Sequence, residues 1–279
     1  MGALIWLASY PKSGNTWMRS FLHNLLRGGS TPVDINRMAD FCLGESDASW
    51  YAPRAPKTVG DLTPEELAAI RPIVHQDFTT AFPDSVFVKT HNFLGESFGY
   101  PIHNMDVTAG AIYIVRNPLD ITLSAANHFG LTTDEAIDFM SDPDAMTGGN
   151  DRHVFEYLSS WSFHVQSWTQ NPNPQLLVVR YEDLIRKPRK HFKQVAGFLG
   201  LKPPAERLER AIKFSSFKVL KAQEEKSGFQ EKSKASDKFF REGKAEQWKE
   251  KLTPEQIRRV IDNHREQMER FDYVPKDYA

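Results

Sequence analysis

Four short apolar runs, Ala3 to Ala8, Val86 to Val88, Ala111 to Val115 and Leu176 to Val179, are nearly continuous instead of alternating. That pattern marks strands covered on both faces. Helical spacing separates most of them. After the first run, Met18, Phe21, Leu22 and Leu25 repeat at helical intervals, and Gly28 and Gly29 stop the helix beyond Arg27. Thr63-Pro64-Glu65-Glu66 and Thr253-Pro254-Glu255-Gln256 both read as helix starts, with Thr as N-cap, Pro at the first helical position and an acid or amide closing a capping box. Asn117 and Pro118 open another helix directly after the third run, and helical segments are expected over 188–199 and 204–214. Strand alternating with helix implies an α/β fold: a central parallel sheet flanked by helices, within a single domain spanning 1–279. The stretches 28–60, 141–152 and 222–240 are expected to be mobile, and none divides the chain in two.

Polar residues gather where these runs end. The first passes into Ser9-Tyr10-Pro11-Lys12-Ser13-Gly14-Asn15-Thr16, the second into Lys89-Thr90-His91, the third into Arg116 and the fourth into Arg180-Tyr181. In an open parallel sheet the carboxyl ends of the strands meet at the ligand crevice, so these residues should form one basic rim. In the first loop Gly14 permits close backbone approach and the following helix presents unpaired N–H groups, which suits a phosphate. Lys12, Ser13 and Thr16 add donors. A turn with a helix cap would use the same residues, and Lys12 with the preceding strand favours the phosphate loop. The loop is P-loop-like without being a Walker A motif, because its Lys precedes the Gly. No run closes in an Asp placed to hold magnesium, so the site is expected to neutralise its anion with side chains and without a metal.

Composition narrows the class. The 35 Lys and Arg nearly balance 36 Asp and Glu, for a net charge of −1, so no global field points to a nucleic acid. Residues 186–251 are locally basic, with 19 Lys and Arg against 9 acids. Cys42 is the only cysteine, which forbids an internal disulfide and fits a reducing compartment, taken as cytoplasmic; it is expected to be a small buried or loop residue and not a nucleophile. No run reaches the roughly 20 residues that span a bilayer, the opening MGALIWLAS is expected to be a buried strand and not a leader, and Trp6 stands where a myristoylation signal has Ser or Thr.

These residues resemble a known family. SYPKSGNTW is similar to the 5′-phosphosulfate loop of cytosolic sulfotransferases, TYPKSGTTW, and IVRNPLDITLSAANHF to their 3′-phosphate segment. KTH at 89–91, VVRYEDL, SSFKVLK and FFREGKAEQW, the last similar to RKGxxGDW, follow in the family's order over nearly the whole chain. The resemblance implies a transferase that moves the sulfuryl group of 3′-phosphoadenosine 5′-phosphosulfate (PAPS) to a hydroxyl or amine of a small or lipid-like acceptor, leaving 3′,5′-diphosphoadenosine (PAP). Lys12, Ser13, Gly14, Asn15, Thr16 and Trp17 would hold the 5′-phosphosulfate. Arg116, Ser124 and Arg241, with the backbone around Glu242 and Gly243, would hold the 3′-phosphate. Trp17 and Phe217 would sandwich the adenine, with Tyr181, Ser215 and Ser216 at its edge. His91 would be the general base, with Lys12 stabilising the charge on the departing bridge oxygen and Lys89 assisting on the sulfuryl side or orienting the donor.

Departures from the pattern set further expectations. Asn15 replaces Thr and should keep phosphate binding; Asn92 and Phe93 replace Leu and Pro, so the acceptor entrance should differ; Glu242 replaces a basic residue. Lys249 and Thr253 match the family's KxxxTVxxxE dimer motif, whereas Pro254 and Arg258 do not, which leaves the oligomeric state open. Trp50, Tyr51, Phe93, Phe98 and Tyr100 are candidates for an apolar acceptor pocket, with ordinary packing the equal alternative. His103, His128 and His164 are expected at the surface or as satisfied core residues. The competing readings are a nucleotide kinase, which would need magnesium ligands, and a non-catalytic nucleotide or nucleic-acid binder, which would tolerate loss of His91.

Overall fold

A computed structural model describes residues 2–82 and 84–278. Met1 and Ala279, the ends of the expected unit, lie outside them. The four expected strands form as β1 (Leu4–Ser9), β3 (Val86–Thr90), β4 (Thr108–Val115) and β5 (Leu176–Arg180), joined by a short edge strand, β2 (Cys42–Gly44). Their order is β2-β3-β1-β4-β5 and every pairing is parallel. The chain therefore reverses direction across the sheet beside β1, the switch point at which α/β sheets open a crevice.

Each strand buries alternate residues in two layers. Trp6, Val86, Val88 and Tyr113 face a core shared with α2 (Pro64–Ala81), α3 (Pro118–Phe129), α4 (Thr133–Ser141), α5 (Trp161–Thr169) and α10 (Pro254–Arg270). Leu7, Phe87, Ile112 and Ile114 face the other, closed by α1 (Asn15–Arg27), α7 (Pro188–Phe198) and α8 (Ala205–Phe214). A short α6 (Tyr181–Arg186) links β5 to α7, and α9 (Phe217–Ser227) follows α8.

Local chemistry sets the helix ends. Thr63 and Thr253 both make complete capping boxes ahead of a first-position Pro, and Asn117 accepts from the Leu119 N–H. The 28–60 stretch contains β2, short helices at Ile35–Asp40 and Ala48–Tyr51, and turns capped by the carboxylates of Asp34 and Asp47. The 222–240 stretch begins inside α9, which runs to Ser227, and 141–152 contributes Met146–Thr147 to a two-stranded ribbon with Glu156–Tyr157. No helix among the described residues is long and apolar enough to cross a membrane.

Candidate active site

The loop after β1 is held in a demanding shape. Lys12 has a φ of 67°, and Gly14, which caps α1, has a φ of 103°. An ideal Cβ on Gly14 would lie 2.7 Å from Tyr181 Cδ2, so the ring at the start of α6 packs directly on the loop backbone. Arg116, at the end of β4, stacks 4.4 Å above the same ring and donates to the Lys12 carbonyl at 2.7 Å. Three strand ends thus close around Lys12 and Gly14.

Charge converges there as well. Burial, followed by Arg116 and Lys89, brings Lys12 down to about 7, with Arg241 acting in the same direction. Its ammonium lies 3.9 Å above the Phe239 ring and 3.4 Å from His128 Nδ1. Burial with the charge of Lys12 lowers His128 to about 3, so this imidazole is neutral. Asp120 accepts from the N–H groups of Glu246 and Trp248, tying the 241–248 segment to α3, and Gly243, at φ 62°, lies against the Phe217 ring. The Glu242 carboxylate pairs with Lys251.

Among the described residues, Tyr10 Oη, Ser13 Oγ, Asn15 Oδ1, Trp17 Nε1, Arg19 Nε and Arg116 Nε are six of the twelve buried polar side-chain atoms without a partner. Buried polar atoms are ordinarily satisfied; Asn15 Oδ1 can only accept, and the other five, all able to donate, find no acceptor among the described residues. The Asn15 amide donates to the Leu7 carbonyl at 2.8 Å, stitching α1 to β1. Thr16 Oγ1 accepts from Arg19 at 3.2 Å, and the Ser215 hydroxyl donates to the Ala211 carbonyl of its own helix at 2.9 Å. Ser124 is half-buried on α3, and Trp17, Ser216 and Phe217 are half-buried beside a small core of Ile35, Met38, Leu220, Phe229 and Phe240 or at its edge. Trp17 meets Tyr181 and Phe192 edge-on, at 5.7 Å and 5.3 Å.

His91 follows β3. Its Nδ1 lies 2.7 Å from the Ser9 carbonyl, which accepts only if Nδ1 carries the proton, leaving Nε2 with a free lone pair. Burial, then Lys89, pushes its pKa well below the ordinary histidine value, keeping the ring neutral near pH 7.

The aromatic candidates for an acceptor wall are spread over several packing environments. Tyr51 is fully buried, with its hydroxyl on Glu45, and Trp50 packs on Phe78 and Phe82. Phe98 and Tyr100 are exposed, and Phe93 meets Phe163 at 5.1 Å. His103 and His164 are buried and bonded to Thr90 and Tyr113; His164 is a satisfied core residue, whereas His103 Nδ1 has no partner among the described residues. His128 was missed as a neighbour of Lys12; its position four residues after Ser124, on the same helix face, was the available signal. Burial pushes the Cys42 thiol up to about 12, leaving it inert. No cluster of three or more His, Cys, Asp or Glu among the described residues is arranged for a metal.

Known proteins bear on this geometry. A family described as "Sulfotransferase domain" matches residues 4–272. Curated relatives include rat Sulfotransferase 1A1, 26% identical over 225 residues, and mouse Sulfotransferase 1B1, 25% identical over 225 residues. Each match covers 77% of this chain and, respectively, 66% and 64% of the relative, so the chain spans just under two thirds of their length. Among solved structures, mouse sulfotransferase SULT7A1 complexed with PAP has a TM-score of 0.64 at 21% identity, covering 97% of this chain and 85% of that one. Retinol dehydratase in complex with androsterone and PAP scores 0.65 at 18% identity, covering 95% and 80%. At such identities the likeness is one of fold.

Proposed function

The chain belongs to the sulfotransferase domain family, and from that premise we propose that it transfers the sulfuryl group of PAPS to a hydroxyl or amine of a small molecule. Lys12 to Thr16 bind the 5′-phosphosulfate. Arg116, Ser124, Arg241 and the Gly243 backbone bind the 3′-phosphate, and Trp17, Tyr181, Ser216 and Phe217 bound the adenine. His91 Nε2 takes the acceptor's proton as the acceptor–sulfur bond forms and the bond from sulfur to the bridging phosphate oxygen breaks, releasing PAP. Lys12, beside the departing oxygen, meets the negative charge that collects there, and Lys89 faces the sulfuryl oxygens.

The observation that carries this reading is the set of unpartnered buried donors, Ser13 Oγ, Trp17 Nε1 and Arg116 Nε, around a loop whose Lys12 feels three other cations. It is a site built for a polyanion. Positive side chains do the neutralising, which favours a reaction without a metal. The fixed Nδ1–H tautomer of His91 supports the base assignment, a role typically worth ~10²- to 10⁴-fold.

The test is a thermal-shift comparison of PAP, ADP and ATP, with and without magnesium, followed by transfer assays against hydroxyl and amine acceptors. PAP should stabilise the protein most, with no help from magnesium, and His91→Ala should keep that shift while losing transfer. A preference for ATP with magnesium, or retained turnover in His91→Ala, refutes the corresponding part.

A further inference from the structure

One residue beyond His91 begins a buried cluster of polar side chains that the transfer chemistry does not use. Its hub is Glu45, fully buried after β2. Glu45 Oε1 accepts from the Arg71 guanidinium, from the Tyr51 hydroxyl at 2.5 Å and from His75 Nε2 at 3.3 Å. Oε2 accepts from Asn92 Nδ2 at 2.7 Å. The Asn104 N–H donates to His75 Nδ1 at 3.3 Å, so His75 carries its proton on Nε2, facing the carboxylate. Arg71 also donates to the Phe155 carbonyl at 2.6 Å. Burial alone would raise the Glu45 carboxyl, but Arg71 and His75 hold it well below the usual carboxylate range.

Asn92 connects this hub to the active-site turn. Its Oδ1 accepts the Tyr157 N–H at 2.6 Å, its own N–H donates to Thr90 Oγ1 at 3.1 Å, and its carbonyl accepts Trp168 Nε1 at 3.0 Å. The His91 carbonyl accepts His164 Nε2 at 3.0 Å, and the Lys89 carbonyl accepts the Glu45 N–H at 2.9 Å. Two tethers run to Glu45, one from the Asn92 amide to its carboxylate and one from its main-chain N–H to the Lys89 carbonyl, so the chain on both sides of His91 is registered against one buried residue. Apolar packing fills such space at no desolvation cost, so a charged hub adds little stability over it. Its distinctive property is directional: it fixes the peptide planes that carry the imidazole.

We propose that Asn92, anchored on Glu45, is a positioning residue for His91, holding Nδ1 on the Ser9 carbonyl so that Nε2 faces the reacting hydroxyl or amine. The inference rests on sulfuryl transfer with His91 as base. It also gives Asn92, which stands where the family pattern has Leu, a specific task.

Asn92→Ser cannot reach Glu45. It should lower kcat by about 10- to 100-fold, the cost of a small misplacement of a reacting group, while PAP affinity stays within about twofold of wild type. The ¹⁵N resonances of the His91 ring, assigned by their loss in His91→Gln, should move from a single Nδ1–H tautomer towards a mixture. Tyr51→Phe removes another donor from the same carboxylate and should show smaller changes in the same direction, which keeps the proposal testable if Asn92→Ser does not fold. Val260→Ala, a buried truncation on α10, controls for lost stability and should leave the resonances in place. Unmoved His91 resonances with kcat within twofold of wild type would overturn the proposal, as would parallel loss of PAP binding and kcat. If wild type binds PAP but transfers to no acceptor while the resonances still shift in Asn92→Ser, the proposed reaction fails and the positioning geometry stands.

Discussion

Gly14 caps α1 at φ 103° and ψ 16°, with the Tyr181 ring where a side chain would project. Gly14→Ala therefore carries two penalties. A left-handed backbone costs an L-residue about 1–2 kcal/mol, and the new methyl at 2.7 Å from Cδ2 and 3.0 Å from Cε2 must displace the ring. The ring supports the Arg116 guanidinium at 4.4 Å, and Arg116 in turn holds the Lys12 carbonyl. Displacement thus spreads to the loop N–H groups and to Arg116 together. Losing one charge-assisted hydrogen bond to a phosphate is worth about 1.5–3 kcal/mol, or about 10- to 150-fold in affinity. Calorimetric titration of PAP into Gly14→Ala should show a loss of that size. Gly28→Ala is the internal control: it also imposes positive φ, at 66°, but its methyl meets only the flexible end of Arg207, at 3.2 Å. It should lower the melting temperature and leave PAP affinity unchanged. Equal PAP affinities for Gly14→Ala and wild type would refute the close approach of ligand to this loop.

Two further outcomes follow from the charges. With Lys12 near 7 in the free protein, a bound dianion favours the ammonium and raises that value, so PAP binding at pH 8 should take up a proton and affinity should weaken as pH rises from about 7 to 9. Titrations in buffers of different ionisation enthalpy read the uptake, and proton release or a flat affinity contradicts it. Glu231→Ala strips the carboxylate from Arg19, whose side chain is 3% exposed. Because the Glu231 side chain is 37% exposed, the loss is set below that of a fully buried pair, at about 1–3 kcal/mol. The melting temperature should fall by about 2–4 °C per kcal/mol and tryptic cleavage within the Lys-rich 228–240 segment should accelerate; unchanged melting and cleavage would show that the pair does not hold that segment.

The interior strands and helix starts were legible because each is written in contiguous residues. Continuous apolar runs specify β1, β3, β4 and β5, and Thr-Pro-Glu-Glu specifies the start of α2 through hydrogen bonds that span three residues. The proposed nucleotide side of the site has the same local character, since Lys12 to Trp17 form one loop and the first turn of α1, and Arg116 follows one strand. β2 was illegible. Three residues with only Cys42 buried become a strand solely through pairing with Phe87, Val88 and Lys89.

The acceptor side was harder for a related reason. Tyr51 reads locally as an aromatic free to line a pocket, yet its hydroxyl belongs to Glu45, and Glu45 depends on Arg71, 26 residues ahead, and on Asn92, 47 residues ahead. A carboxylate can be buried only where several donors converge, and no periodicity records that convergence because the donors come from the short helix at Ala48–Tyr51, from α2 and from the turn after β3. The same convergence makes the turn rigid. A phosphate loop tolerates being encoded locally because backbone N–H groups do most of its work, whereas a general base must be aimed, and aiming requires tethers from elements that are distant in sequence. Chemistry that depends on orientation is therefore the part of this protein that its linear pattern conceals, and Asn92 is where the two meet: a residue that reads as a departure from a motif and that the fold uses as the anchor of its neighbour.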